Sequence, residues 1–314
     1  MSDNINKNVW LIGCGNISYD YVKILQDLNC NITAIGRSIN TCNKFYSATG
    51  IKPHNGGINS FSCNNIPEYA IVATNESKLF DVTKNLIKRG IKNILIEKPG
   101  SIKIQHIDQL KILSIKHQCN LFIGYNRRFY QSVKTCKEII QQTTGPISVN
   151  FNFTEWTHTI PFEKYTTEEL SKFFLCNSSH VADTVFYLVG APKKLTCYSY
   201  GELNWHRSGA IFQGSGYTAR SAINYTANWI SAGRWEIEIE LPNKKLILTP
   251  LEELHIQHKG SIETVEYKLN NKIDLDYKPG LYEQVKSFFT HQKDLCTIEE
   301  QHANFKWYYD IAKY

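Results

Sequence analysis

The stretch Val9-Trp10-Leu11-Ile12-Gly13-Cys14-Gly15-Asn16-Ile17-Ser18 decides the fold of the first third of this chain. A short apolar run, Val9 to Ile12, leads into a glycine pair, and Ile17, Tyr21, Ile24, Leu25 and Leu28 then recur at helical spacing. Strand, Gly-x-Gly-x-x-Ser turn and helix in that order form a phosphate cradle. The first glycine allows the tight turn, the second lets the backbone approach a pyrophosphate, and the helix start offers free N–H groups and a positive dipole end. Ser18 stands where the third glycine of the pattern would be. A dinucleotide is therefore the expected ligand, held by Gly13, Gly15, Asn16 and Ile17.

Working outward, Ile32 to Ile35, Tyr69 to Ala73, Asn93 to Glu97 and Asn120 to Gly124 read as further strands. Helical patterns separate them, one carrying Leu79, Val82, Leu86 and Ile87, another running from Lys103 to His117. Continuous apolar strands alternating with helices imply a parallel sheet covered on both faces. After residue 124 the period changes. A helix with Phe129, Val133, Cys136 and Ile140 on one face precedes Ile147 to Thr154, where apolar and polar residues alternate; Trp235 to Leu241 alternates in the same way. That is the signature of strands with one buried face. Further apolar helices are expected near Val181 to Val189, Leu281 to Phe289 and Phe305 to Ala312. The prediction is two domains: residues 1–123, an α/β doubly wound parallel sheet, and residues 124–314, an α+β domain on a mostly antiparallel open sheet.

Composition narrows the function. A chain of 314 residues, 42% hydrophobic and 20% charged, suits two folded domains and excludes a disordered or fibrous protein. Lys and Arg number 35 against 29 Asp and Glu, spread without a run, so nucleic acid is not an expected partner. Apolar runs stay at strand length, far below the ~18 residues of a membrane span. The amino terminus MSDNINKNVWLIG lacks the basic and apolar regions of a secretory leader, and a cytoplasmic location is expected. Nine scattered cysteines without a CxxC pair predict reduced thiols and no metal site.

The second strand speaks to the choice of cofactor. A site for NAD usually carries an acid at its end to hold the ribose 2′-hydroxyl. Here no Asp or Glu occurs between Asp27 and Glu68, and the strand ends in Gly36-Arg37-Ser38. A guanidinium beside a hydroxyl suits a 2′-phosphate, so NADP(H) is favoured. NAD(H) is the alternative, with Arg37 stacked on the adenine.

Three more motifs carry chemistry: Glu97-Lys98-Pro99 at a strand end, Gly124-Tyr125-Asn126-Arg127-Arg128-Phe129 after the next strand, and Asn177-Ser178-Ser179-His180-Val181-Ala182-Asp183 before an apolar helix. With the glycine turn, and in this order along essentially the whole chain, they make a sequence that resembles the glucose-fructose oxidoreductase and inositol dehydrogenase family (Gfo/Idh/MocA). The resemblance implies a Rossmann domain and hydride transfer between a nicotinamide and a secondary alcohol or ketone of a sugar. A nucleotide-linked sugar in surface glycan biosynthesis fits, as does assembly into a homodimer or homotetramer.

The residues support that chemistry on their own terms. Ligands of open α/β sheets lie beyond the carboxyl ends of the strands, where Lys98 would project and stabilise a developing alkoxide. Pro99 restricts the backbone there and suits a cis bond. His180, after three good capping residues, is expected in a first helical turn whose dipole keeps imidazole neutral. By resemblance it exchanges the substrate proton, while Asp183 orients a neighbouring group. Thr74 and Asn75 resemble the family's cofactor loop, and Glu97 and Ser38 join the cofactor set. Two positions depart from the family pattern: Lys78 where His is frequent, and Cys176 where Asp is frequent.

Lys98, Tyr125, Arg127 and His180 are expected to frame the substrate, with Glu155, Trp156 and His158 from the end of the alternating strand and with Cys176. Arg207 and Arg220 are further candidates for an anionic group. Because of Cys176, a catalytically silent NADP-binding sensor or partner subunit is the rival reading. A third is glycosidic cleavage through transient use of the nicotinamide.

Overall fold

The apolar runs of the first third become the strands of one sheet in a computed structural model that describes residues 5–314. Residues 1–4, part of the stretch read for a leader, lie outside the described residues. The elements are β1 (Asn8–Ile12), α1 (Asn16–Asp27), β2 (Asn31–Ile35), α2 (Ile39–Thr49), β3 (Tyr69–Val72), α3 (Leu79–Arg89), β4 (Asn93–Glu97), α4 (Ile104–His117) and β5 (Asn120–Gly124). The strands lie in the order β2-β1-β3-β4-β5 and all these pairs are parallel. Leu11 sits between Ala34 and Ile71 in register, and Ile71, Ile94 and Leu95 are sealed from solvent, as helices on both faces require. Strand order reverses between β1 and β3, so the loops after β1, β2, β3 and β4 share the edge where such sheets bind ligands.

Helix α2 was not legible in the sequence. Only Cys42 and Phe45 anchor it, too few apolar positions to set a period; it forms because Ser38 caps one end and Gly50, at φ +72°, terminates the other.

In the second unit come α5 (Gln131–Gln142), β6 (Ile147–Phe153), α6 (Thr167–Ser171), α7 (Ser179–Val189), β7 (Lys194–Tyr200), β8 (Ile211–Tyr217), β9 (Ser221–Asn228), β10 (Trp235–Leu241), β11 (Lys244–Leu248), β12 (His255–His258) and β13 (Thr264–Glu266). The sheet runs β13-β12-β11-β10-β6-β9-β8-β7, antiparallel at every step except β6 beside β9. Alternate residues of β6 and β10 are buried as expected. Strand β8 escaped the sequence reading because Gly214 and Gly216 break its alternation. A Cβ on Gly214 would meet the Tyr225 ring at 2.4 Å, and one on Gly216 the Lys194 carbonyl oxygen at 2.0 Å.

The chain then forms α8 (Lys272–Asp276), α9 (Leu281–Phe289), β14 (Cys296–Thr297) and α10 (Ile298–Ala312). Here the expected division needs correction. Residues 275–303 were assigned to the carboxyl-terminal domain, but they belong with the chain up to Asn126; residues 127–274 and 304–314 form the other unit. Strand β14 pairs antiparallel with β5, and Phe288 and Phe289 of α9 pack edge-on against Tyr69 at 5.5 and 5.2 Å. An amphipathic pattern shows that a helix covers a sheet, not which sheet. Among the described residues no helix is long and apolar enough to cross a membrane.

Candidate active site

The cradle after β1 is built from two glycines with different reasons for being glycine. Gly13 has φ +122°, and a Cβ there would lie 2.1 Å from the Ala73 carbonyl oxygen, so the fold itself excludes any side chain. Around Gly15 the space a Cβ would fill is open. The protein's own packing therefore does not require glycine at 15, whereas close approach of a pyrophosphate does. Gly15 is also the extended N-cap residue of α1, no side chain caps the helix, and its first turn has no acid, so the amides of Asn16 and Ile17 stand at a positive helix end. These features fit a dinucleotide phosphate.

Arg37 and Ser38 are exposed beyond β2. The Ser38 hydroxyl accepts from the Thr41 amide at 3.3 Å and so serves as the N-cap of α2. Arg37 thus has a second helix start beside it. Gly36 cannot take a side chain because its Cβ would fall 2.4 Å from the Cys42 sulfur and 2.8 Å from that of Cys14. Burial, reinforced by the neighbouring Cys42 thiol, pushes Cys14 up to about 12, so it packs as an unreactive thiol. Asn75 precedes the short turn Glu76–Lys78, and Lys78 is exposed.

At the end of β4 the Lys98–Pro99 peptide bond is cis. The Lys98 ammonium lies 3.8 Å from Glu76, with its side chain largely enclosed. Glu97 accepts from the Tyr21 hydroxyl of α1 at 2.7 Å. Burial pushes Glu97 above the ordinary carboxylate value, and the Tyr21 hydrogen bond and the Lys98 charge oppose it. Tyr125, expected at the substrate, is instead fully buried, its hydroxyl accepting from Gln301 at 3.3 Å, because the residue after β5 turns into the core of its own unit.

Around His180 the structure departs furthest from the sequence expectation. Phe174–Ser178 form a π-helical turn that runs straight into α7, and the Cys176 amide already bonds the Lys172 carbonyl. His180 is therefore not in a first turn with free N–H groups, and the dipole argument for its neutrality does not apply. Nor do the three expected caps act as caps. Ser179 donates to the Leu175 carbonyl, while Asn177 and Ser178 reach sideways to Glu155. His180 itself is 4% exposed, with its ring 6.1 Å from that of Trp235.

Glu155, expected to face substrate, is 3% exposed and is the hub of this cluster. It accepts two bonds from Asn177 at 3.0 Å, one from Ser178 at 2.5 Å, one from the Trp235 indole at 3.2 Å and one from Arg234 at 3.1 Å. Burial pushes its carboxyl up; Ser178, Arg234, Trp235 and Asn177 hold it down. Arg127 lies 4.6 Å from the Trp235 ring centre, and Arg234 4.7 Å from the same ring. Trp156 is 48% exposed, with its N–H on the Gly233 carbonyl. Cys176 is buried and its thiol donates to the Glu169 carbonyl, so it belongs to the packing of the turn and not to an open surface. Asp183 holds the buried Arg128 through two bonds of 2.6 and 2.8 Å, which fits an orienting role. Arg220 caps the end of α5 through the Ile140 and Thr143 carbonyls, and Arg207 pairs with Glu202 in solvent. Arg234 is the residue sequence reasoning missed. Its only signal was an Arg next to an alternating strand headed by Trp.

Residues 7–125 match the Gfo/Idh/MocA family described as "Oxidoreductase family, NAD-binding Rossmann fold". This stretch is a Gfo/Idh/MocA nucleotide-binding domain. Beyond it, the fold of the whole chain is shared with solved oxidoreductase and dehydrogenase structures. An oxidoreductase from Agrobacterium radiobacter, solved with NAD+, L-tartaric acid and magnesium, superposes with TM-score 0.82 at 10% identity over 98% of this chain and 96% of that one. An inositol dehydrogenase homologue from Azotobacter vinelandii, with NADH and myo-inositol, gives 0.76 at 14% identity, covering 98% and 96%. The WlbA dehydrogenase of Chromobacterium violaceum, with NADH and UDP-GlcNAcA, gives 0.76 at 14%, covering 99% and 94%. Among curated proteins no sequence matches this chain.

Proposed function

We propose that this chain is an NADP(H)-preferring oxidoreductase acting on a secondary alcohol or ketone of a sugar or nucleotide-linked sugar. The observation that carries the reading is the contrast of Gly13, which the fold requires, with Gly15, whose open face at the α1 start leaves room for a pyrophosphate, followed along the same sheet edge by Lys98. When bound, the nicotinamide supplies or accepts the hydride at its C4. Lys98 donates to the substrate oxygen and stabilises alkoxide charge as it develops. His180 gives the proton to a reduced carbonyl, or takes it from an alcohol. Arg37, beside the α2 start and with no acid at the strand end, meets the 2′-phosphate. We infer a cytoplasmic setting in surface glycan biosynthesis from the family resemblance alone. Exposed Tyr198, Tyr200 and Tyr217 share one face of β7 and β8 and support a homodimer or homotetramer.

The test is NADPH absorbance followed with a panel of keto-sugars and, in reverse, NADP+ with the corresponding alcohols. Turnover lowered by about 10²–10³-fold in Lys98→Ala supports the proposal; absence of both turnover and cofactor binding sinks it. Cys176, buried where a carboxylate is frequent in the family, favours one rival, a silent NADP-binding partner subunit. That rival predicts NADPH binding without turnover on any sugar.

A further inference from the structure

We propose that Arg234 is an oxyanion anchor, binding a carboxylate or phosphoryl group of the substrate one indole ring away from His180. The inference rests on the oxidoreductase reading only for calling the ligand a substrate. The guanidinium carbon lies 4.9 Å from the centre of the Trp156 ring and 4.7 Å from that of Trp235. From beneath, Glu155 takes the Nη1 hydrogen at 3.1 Å. Among the described residues that is the guanidinium's hydrogen bond to protein, and the side chain remains 40% exposed.

A surface Arg kept for solubility sweeps through many rotamers. This one is fixed by two indoles and a buried carboxylate, and both indoles are themselves tied down. Trp156 donates to Gly233 at 2.9 Å, and Trp235 donates to Glu155 at 3.2 Å. Glu155 in turn is held by Asn177 and Ser178 of the π-helical turn. Ordering a long side chain before the ligand arrives removes much of the entropic cost of binding. The remaining N–H donors of a planar fork match a carboxylate or phosphate, which accepts two parallel bonds.

Position gives the anchor its purpose. Trp235 links it to His180, whose ring stands 6.1 Å from the same indole. Trp156, half exposed, offers an aromatic face against which a sugar ring can lie. The ligand class is thus a sugar carrying an oxyanion, either a sugar acid or a sugar on a diphosphate.

Four probes separate the two sources: D-glucose, D-glucuronate, UDP-glucose and UDP-glucuronate, titrated calorimetrically into the full chain with and without NADPH. The expected result is that at least one charged probe binds about tenfold or more tighter than glucose, that Arg234→Ala abolishes this preference, and that Arg234→Lys, a charge without a fork, retains part of it. Preference for glucuronate over glucose assigns the carboxylate; preference for UDP-glucose assigns the diphosphate. Thermal melting and NADPH fluorescence show whether each variant is folded, and a Trp156→Ala variant weakens all sugars if the ring is the platform. The proposal is overturned if no charged probe outbinds glucose, or if folded Arg234→Ala and Arg234→Lys bind every charged probe as the wild type does. Arg234-dependent binding with neither reduction of keto-sugars by NADPH nor oxidation of the corresponding alcohols by NADP+ would leave the anchor standing and remove the oxidoreductase reading instead.

Discussion

Two glutamates, Glu97 in the first unit and Glu155 in the second, stand next to the groups proposed to act on substrate, and they are held in opposite ways. Glu97 has the Tyr21 hydroxyl as its short partner, and its neighbour Lys98 is tethered no closer than 3.8 Å to Glu76. Glu155 is saturated by Asn177, Ser178, Trp235 and Arg234. The proposed cofactor site of the first unit rests on backbone geometry, with Arg37 exposed at its edge. The proposed substrate site of the second rests on side chains that fix one another. A cofactor with a constant phosphate can be met by backbone; a particular sugar needs side chains placed in advance.

The largest effect expected from breaking this contrast is on Glu155. Its removal in Glu155→Ala strands the buried Ser178 and Trp235 donors, at about 1–3 kcal/mol of stability for each, and releases the partly exposed Arg234, read as a fall in denaturation midpoint. Glu97→Ala, losing one short bond, should cost about 1–2 kcal/mol. Next, Lys98→Ala should lower kcat by about 10²–10³-fold while NADPH affinity changes little; an equal loss in both would make Lys98 a cofactor residue only. Smaller again is the glycine pair. Gly13→Ala should destabilise the first unit by about 1–3 kcal/mol through its left-handed backbone and the Ala73 carbonyl, whereas Gly15→Ala should leave melting unchanged and weaken NADPH in fluorescence titration. Arg37→Ala should then shift the NADPH-to-NADH affinity ratio by about tenfold, or about 1.4 kcal/mol, with no change in fold.

The smallest effect is on pH dependence. Burial raises both Glu97 and Glu155 above their ordinary 4.5. The native state then holds protons the unfolded chain has released, so stability falls as pH rises from about 4.5 through the raised values and returns on acidification. Replacing either residue by Gln should flatten its share of that slope in pH-dependent melting.

Much of the first unit was legible because each of its functional loops is a continuous piece of chain. The strands Asn93–Glu97 and Asn120–Gly124 fall where the apolar runs place them, and the glycine turn joins β1 to α1 as read. Tyr125 was misplaced because burial after a strand end depends on what packs there, here Gln301 from far along the chain. In the second unit, β6 and β10 were legible from period two, but β7, β8, β9, β11, β12 and β13 were not. Glycines, short lengths and half-exposed faces blur the alternation of all but β9; in β9 Ile223, Tyr225 and Ala227 do alternate with Asn224, Thr226 and Asn228, a period-two signal that went unread. The environment of His180 was beyond sequence reasoning altogether. Asn177 and Ser178 read as helix caps until a carboxylate from the end of β6 takes their hydrogens.

By itself the sequence determined the two-sheet architecture, the nucleotide cradle and the family resemblance, because these are written in residues adjacent along the chain, where strand period, glycine conformation and motif order are local properties. Tertiary structure alone decided that residues 275–303 join the first sheet and that Gly15 has an open face, and it made Glu155 a buried hub holding Arg234 between two indoles. Those outcomes depend on which distant segments meet. A carboxylate at the end of a strand becomes a ligand group or a structural anchor according to whether donors from elsewhere in the chain reach it before solvent does.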